Sequence, residues 1–283
     1  MIAFLKRKLA VMRQPLMELN LWQRLFLKLF LLCFGHLITI ENTNRKGAGN
    51  ETITGPDPCI FAFNHNCFFE SVLVPSFLTW RRQGRKINFI SDWMYQHFPI
   101  VGWVLKQTDP IYSYHKPARL KFLNRYRPKT GQRTVYQECI DRLKRGNCIG
   151  IFPEGTRNFN PVSLLKGQKG IGYIVLNTSA PVVPGGIDFP LRRNRGKIPK
   201  LGAMILRWGD PMKFNQERFL FRVISTVPDL EPRERQLIIH YLASKITYQI
   251  MIELANLSGK NYPFPEPAPP VLMERFFIKQ ACV

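Results

Sequence analysis

Apolar positions along the chain form two kinds of run. Short, nearly continuous blocks occur at Cys59–Phe63, Ile87–Ser91, Thr108–Tyr112, Cys148–Phe152, Pro181–Ile187 and Ala203–Trp208. Blocks of this length predict strands buried on both faces. Between them lie stretches with helical spacing, at Ser71–Arg82, Pro99–Gln107, Gln132–Arg145 and Gly170–Thr178. The stretch from Gln132 shows why: Val135, Tyr136, Cys139, Ile140 and Leu143 share one face, and Gly146 follows as a stop. Strands alternating with helices predict an α/β fold with a mostly parallel central sheet and helices on both faces. In such sheets functional groups gather where strands end. Towards the C-terminus Leu237, Ile238, Tyr241, Leu242, Ile246, Ile250, Met251 and Leu254 predict a long amphipathic helix over Pro232–Leu257, and the Pro-rich Pro263–Pro270 predicts irregular chain after it.

The first forty residues read differently. Residues 1–19 are basic and Met-rich, and they lead into an apolar run from Leu21 to Ile40. Gln23, Arg24, Lys28 and His36 interrupt that run, whereas a spanning helix needs roughly 18 or more apolar residues with few charges. A secretory cleavage site is not visible. On a helix, Leu21, Trp22, Leu25, Phe26, Leu29, Phe30, Cys33, Phe34 and Leu37 form one broad stripe opposite Gln23, Arg24 and Lys28. This pattern predicts an N-terminal membrane-interface helix. Lys6, Arg7, Lys8 and Arg13 add cations, each worth about 1 kcal/mol near an anionic surface. A helix packed on the protein's own core has the same pattern.

Composition then narrows the partners. The 283 residues are 45% apolar and 21% charged, which fits a folded α/β domain and excludes wholesale disorder. Lys plus Arg number 41 against 19 Asp plus Glu, a net +22 that draws anionic partners: nucleic acid, lipid headgroups or an acidic carrier protein. Seven cations and no acid lie between Lys116 and Arg133, and Arg192, Arg193, Arg195, Lys197 and Lys200 form a second cluster. These are either solvated loops or surfaces for anions. The six cysteines make no CxxC pair and the five histidines lack ligand spacing, so neither a disulfide framework nor a metal site is expected. A reducing, cytosol-facing compartment fits this usage.

Two loops carry candidate chemistry, each directly after a predicted strand. In Phe63-Asn64-His65-Asn66-Cys67-Phe68-Phe69-Glu70, a helix beginning after His65 lets the turn fold the imidazole back towards Glu70. Glu70 then orients His65 and strengthens it as a base. The pair fits equally a satisfied loop histidine with a carboxylate complementing the helix dipole. In Phe152-Pro153-Glu154-Gly155-Thr156-Arg157-Asn158, Pro153 stops the strand, Gly155 permits a tight turn and Arg157 can grip a phosphate bidentately. A polar turn with a surface ion pair has the same composition. Cys67 invites a thiol-nucleophile reading, but its neighbours are aromatic.

Together these loops resemble the lysophospholipid and glycerolphosphate acyltransferase family, over about Cys59 to Asp210. The family's histidine-X4-acid motif is similar to His65 through Glu70, with glutamate where most members carry aspartate. A second motif resembles Gly102-Trp103-Val104-Leu105 through Thr108-Asp109-Pro110-Ile111. The arginine expected soon after is missing: His115 stands there, with Lys116 and Arg119 as substitutes. The third motif is matched letter for letter by Phe152 through Arg157, and the fourth by Val183-Pro184. The resemblance implies transfer of a fatty acyl group from acyl-CoA or acyl-acyl carrier protein to a hydroxyl of a phosphate-bearing lysolipid. In this scheme His65 is the general base and Glu70 its orienting partner, with Glu154, Gly155, Thr156 and Arg157 at the acceptor. It implies no metal and no cofactor beyond the acyl co-substrate.

The chain is then expected to divide into a membrane-associating segment (1–45), an acyltransferase catalytic domain (46–215) and a C-terminal helical extension and tail (216–283). The expected location is the cytoplasmic face of an anionic membrane. The rival readings are an acyltransferase for another lipid or glycolipid, a hydrolase, and a non-enzymatic basic protein that binds nucleic acid or membrane. No serine sits in GxSxG and no nucleic-acid module is recognisable, so nucleic acid is not an expected partner.

Overall fold

The computed structural model describes residues 2–42, 57–118, 120–128, 134–191, 196–228, 230–271 and 273. Seven strands occur among them: β1 (Ile38–Asn42), β2 (Ile60–Phe63), β3 (Ile87–Asp92), β4 (Ile111–Ser113), β5 (Cys148–Ile151), β6 (Val182–Asp188) and β7 (Met204–Trp208). They form one sheet in the order β1-β7-β6-β2-β5-β3-β4. All neighbours run parallel except β6 and β7. The α/β fold with a mostly parallel sheet is therefore as the sequence pattern predicts.

Helices cover both faces because the central strands are apolar on both. Ile60 and Ala62 of β2, with Ile149 and Ile151 of β5, face α5 (Val135–Lys144), α6 (Gly170–Leu176), α7 (Asn215–Thr226) and α8 (Pro232–Ser258). Cys59, Phe61 and Phe63 point the other way, towards α1 (Ile2–Arg13), α2 (Leu21–Phe34) and α3 (Glu70–Arg81). The remaining helix, α4 (Pro99–Thr108), precedes the edge strand β4. Local signals fix several helix ends. Thr134 and Gln137 form a capping box on α5, and Pro232 opens α8, which closes at Gly259 in the left-handed conformation. Helices α6 and α8 cross so closely that a Cβ on Gly172 would lie 2.0 Å from the Ala243 carbonyl oxygen.

The N-terminal run departs from the pattern reading. Helix α2 ends at Phe34, and Ile38–Asn42 becomes the edge strand β1, parallel to β7. Leu27 and Leu31 of α2, which fall outside the predicted stripe, face the core. Gln23, Arg24 and Lys28 turn to the protein rather than to an open polar face. Gln23 donates to Gln107, Arg24 to the carbonyls of Leu19 and Met17, and Lys28 to that of Met12. Exposed apolar side chains on α2 are Leu21, Trp22, Leu25 and Leu29, with Met12 and Met17 nearby in the chain. No helix among the described residues is long and apolar enough to cross a membrane.

Candidate functional site

The strand order brings the two candidate loops together. Strands β2 and β5 are parallel neighbours, so the loops leaving their C-terminal ends emerge side by side. Phe63 ends β2 among Phe89, Phe152 and Trp208. A Cβ on Gly150 would strike the Phe89 ring at 2.5 Å, so glycine in β5 makes room for this aromatic cluster. The His65 ring stacks on Phe152 at a centroid distance of 4.3 Å, which places it at the top of the cluster. Asn64 anchors the loop on the other side: its amide donates to the Ile187 carbonyl at 2.9 Å, and Ile187 N donates back at 2.7 Å.

Helix α3 begins at Glu70, and the turn before it folds the carboxylate under the imidazole. His65 Nδ1 lies 2.9 Å from Glu70 Oε1. Glu70 is fully buried and can act only as an acceptor when ionised, so Nδ1 is the donor in this pair. Asn66 donates to the same carboxylate twice, from its backbone N to Oε1 and from Nδ2 to Oε2 at 3.0 Å. The imidazole is partly exposed and Nε2 makes no hydrogen bond to a described residue. A ring held at one nitrogen and open at the other can accept a proton from a bound hydroxyl.

Glu154 occupies a different position from its motif neighbours. It is buried beneath the His65 loop, and both oxygens are taken by the protein. Oε1 accepts from His65 N at 2.9 Å; Oε2 accepts from Leu165 N and Asn158 Nδ2, each at 2.8 Å. Burial pushes its pKa up, and these hydrogen bonds oppose the shift. Asn158 N donates to the His65 carbonyl at 2.7 Å, so the two loops are laced together from below. Gly155 takes a φ of +66° and, with Thr156, is exposed at the rim. Arg157 is half-buried, with one long contact of 3.4 Å to the Tyr95 hydroxyl. Lys116 reaches the rim and donates to the Gly155 carbonyl at 2.7 Å. Arg119 lies outside the described residues, as do Lys129, Arg133, Arg192, Arg193 and Arg195.

Sequence reading missed several supports. Asn64, Asn66 and Asn158 flank the motifs but carry no spacing signal of their own. Lys260, from the segment after α8, donates to Asn66 Oδ1 at 2.6 Å. Cys67 is buried and its thiol is pushed up to about 11, with burial the main cause, so it stays protonated near neutrality. At the opposite end of the sheet Asp57, Cys59 and Cys148 converge within 4.8 Å. Arg82 pairs with Asp57 and donates to Cys148, so a guanidinium already supplies the positive charge there.

A laced pair of strand-end loops, with a carboxylate-held imidazole beside an arginine-bearing turn, has the makings of a general-base site for an anionic substrate. The chain belongs to the acyltransferase family, whose model, described as Acyltransferase, matches residues 44–188. It is 29% identical over 164 residues to the chloroplastic 1-acyl-sn-glycerol-3-phosphate acyltransferase BAT2 of Brassica napus, covering 57% of this chain and 41% of that one. It is 26% identical over 147 residues to the 1-acyl-sn-glycerol-3-phosphate acyltransferase of Pseudomonas aeruginosa, covering 51% and 48% respectively. The matched stretch thus spans less than half the length of these curated relatives. A crystal structure of the 1-acyl-sn-glycerophosphate acyltransferase PlsC from Thermotoga maritima aligns over 77% of this chain and 71% of its own, at 18% identity and a TM-score of 0.44.

Proposed function

We propose that this chain moves a fatty acyl group from a thioester carrier, acyl-CoA or acyl-acyl carrier protein, to a hydroxyl of a phosphate-bearing lysolipid. The preferred acceptor is 1-acylglycerol-3-phosphate, and the role is in phospholipid biosynthesis. The observation that carries this reading is the 2.9 Å contact of His65 Nδ1 with buried Glu70, which leaves Nε2 open at the site mouth. His65 Nε2 takes the proton of the acceptor hydroxyl as its oxygen attacks the thioester carbonyl. The tetrahedral intermediate then collapses, the thiolate leaves, and the imidazolium returns the proton to it. Ester and thiol are the products and His65 ends neutral. Glu70 stabilises the imidazolium; Glu154 fixes the loop from below; Arg157 and Lys116 meet the acceptor phosphate at the rim made by Gly155 and Thr156. The scheme calls on no metal or cofactor.

The same proposal places the site against an anionic membrane, at its cytoplasmic face. Trp22, Leu25 and Leu29 stand exposed on α2, and Phe26 of that helix packs edge-on to exposed Trp103 at 5.1 Å. The other end of α2 touches the histidine loop, where Phe34 meets Phe69 at 5.5 Å. The apolar face and the site mouth are therefore linked through one helix, which suits a substrate drawn from a lipid surface. The direct test incubates purified protein with each thioester donor and a panel of lysolipids, and identifies products by mass spectrometry. Phosphatidic acid is the expected product from 1-acylglycerol-3-phosphate, and His65→Ala lowers its rate by about 10²–10⁴-fold while the protein stays folded. Near-normal turnover in that variant would show that His65 is not the base.

A further inference from the structure

Two buried carboxylates hold one histidine, one at its ring and one at its backbone. Glu70 accepts from the His65 ring and Glu154 from the His65 backbone. Only a neutral imidazole can act as a base, so charge placed around it matters. The protein side of the site also holds a cation. The Lys260 ammonium is 5% exposed and enters beneath the histidine loop. It donates to Asn66 Oδ1 at 2.6 Å and to the Asn160 carbonyl at 2.8 Å. The Asn66 amide then donates onward to Glu70 Oε2 at 3.0 Å. A continuous relay thus runs from Lys260 through Asn66 and Glu70 to His65.

Lys260 does not come from either motif loop. Helix α8 ends at Gly259, and the chain turns so that the following segment pairs with the loop after Glu154. Asn261 N donates to the Val162 carbonyl at 2.8 Å, Leu164 N donates to the Asn261 carbonyl at 2.9 Å, and the Tyr262 hydroxyl accepts from Gly167 N at 3.2 Å. This strap lies beyond residues 44–188, where the family model matches. A buried ammonium is costly unless its charge is matched and its protons are used. Here two of its protons are used, by Asn66 and the Asn160 carbonyl, and Glu154 feels its charge.

We propose that Lys260 is a positioning residue of the active site. Its bond to Asn66 fixes the Glu70 carboxylate under the His65 ring, and its positive charge, at the end of that relay, opposes a second positive charge on the imidazole. The inference rests on the reading of His65 as the base. Among the described residues, the charged and titratable groups of the two loops and their supports are Glu70 on α3, Cys67 before it, Glu154 and Arg157 on the second loop, Lys116 at the rim and Lys260 on the strap. The Asp188–Arg207 pair lies just beyond Ile187, which bonds Asn64. Of these cations, Lys260 alone bonds into the Glu70 relay.

The test compares wild type with Lys260→Met, Lys260→Gln and Lys260→Arg in the full chain. Each is measured for thermal melting, for kcat and acceptor KM across pH, and for the His65 titration by NMR with labelled histidine. Removing the charge is expected to move the His65 titration to higher pH. In Lys260→Met, kcat should then fall about tenfold or more at pH 6 but only about threefold at pH 8, because a neutral imidazole is the active form. Acceptor KM should change little, and Lys260→Arg should recover most of the pH 6 rate. Lys260→Gln keeps a donor for Asn66 and should show the same pH bias even where Lys260→Met folds poorly. An equal loss at both pH values with an unmoved His65 titration makes Lys260 a structural tether and overturns the proposal, as does failure of both neutral variants to fold. A moved titration in a protein whose His65→Ala variant stays active refutes the base reading while leaving the electrostatic role of Lys260 standing.

Discussion

Arg157 offers a planar fork of five N–H donors, and among the described residues it makes one long contact, to Tyr95. That leaves most of the fork for a ligand at the rim. Charge-assisted bonds contribute roughly 1.5–3 kcal/mol each, so Arg157→Ala should weaken use of a phosphate-bearing acceptor by about tenfold to a hundredfold. Lysine should restore only part of this, because it returns charge without bidentate geometry. The checking measurement is steady-state kinetics with a charged and a neutral acceptor; equal losses on both would make Arg157 structural. Cys67 supplies the opposite expectation. Its buried thiol is pushed up to about 11, so Cys67→Ala should keep at least about half of the wild-type rate, and thiol reagents should label it slowly near neutrality. A severe loss on this substitution would revive a thiol nucleophile. His65, Glu70, Glu154 and Arg157 could be singled out in the sequence because they stand at short fixed spacing in two loops that resemble family motifs. Asn66, Asn158 and Lys260 were not, because their contacts depend on loops meeting across the sheet.

Strands β2, β3, β5, β6 and β7 were readable for a physical reason: each is buried on one or both faces, and burial writes a continuous apolar run. Strand β1 was hidden because its residues continue the apolar run of α2, so Gly35, which closes the helix, was passed over as a stop. Helix α7 was missed because few of its residues enter the core; of its apolar positions only Ile224 is fully buried. On helix α2 the polar side chains Gln23, Arg24 and Lys28 donate to Gln107 and to carbonyls before and after α1's end. The part of the apolar stripe that stays exposed is then the face to test against a membrane. Replacing Trp22, Leu25 and Leu29 together by Gln should leave the melting temperature within about 3 °C, because surface changes away from special features usually shift stability within about 0.5 kcal/mol. The same variant should lose most of its flotation with anionic vesicles. Undiminished flotation would exclude this face as the docking surface.

At the scale of the whole molecule, the segments outside the family match are built into the same sheet and core. Strand β1 pairs along five residues with β7, and Val11, Leu16, Leu19, Leu27, Leu31 and Ile38 are buried in the cluster that also holds Phe61 and Phe63. At the other end α8 lies against β6 and α6, and its following strap carries Lys260 to the site. Removing residues 1–42 should therefore do more than free a membrane tether. Six buried apolar side chains contribute about 9–18 kcal/mol as an upper estimate, at about 1.5–3 kcal/mol each. A domain's net stability is about 5–15 kcal/mol, so the truncated chain should not hold its native fold. It would also bare β7 as a new sheet edge, an invitation to aggregate. The expected outcome is a loss of the cooperative melting transition, dye binding to exposed apolar surface, and no acyl transfer even with detergent-dispersed acceptor. Full-length protein carrying the α2 face substitutions supplies the contrast: released from vesicles, yet cooperatively folded and active on dispersed acceptor. If the truncated chain instead melts within a few degrees of full length, the N-terminal segment is an appendage, and its packing against Phe61 and Phe63 contributes little to the fold.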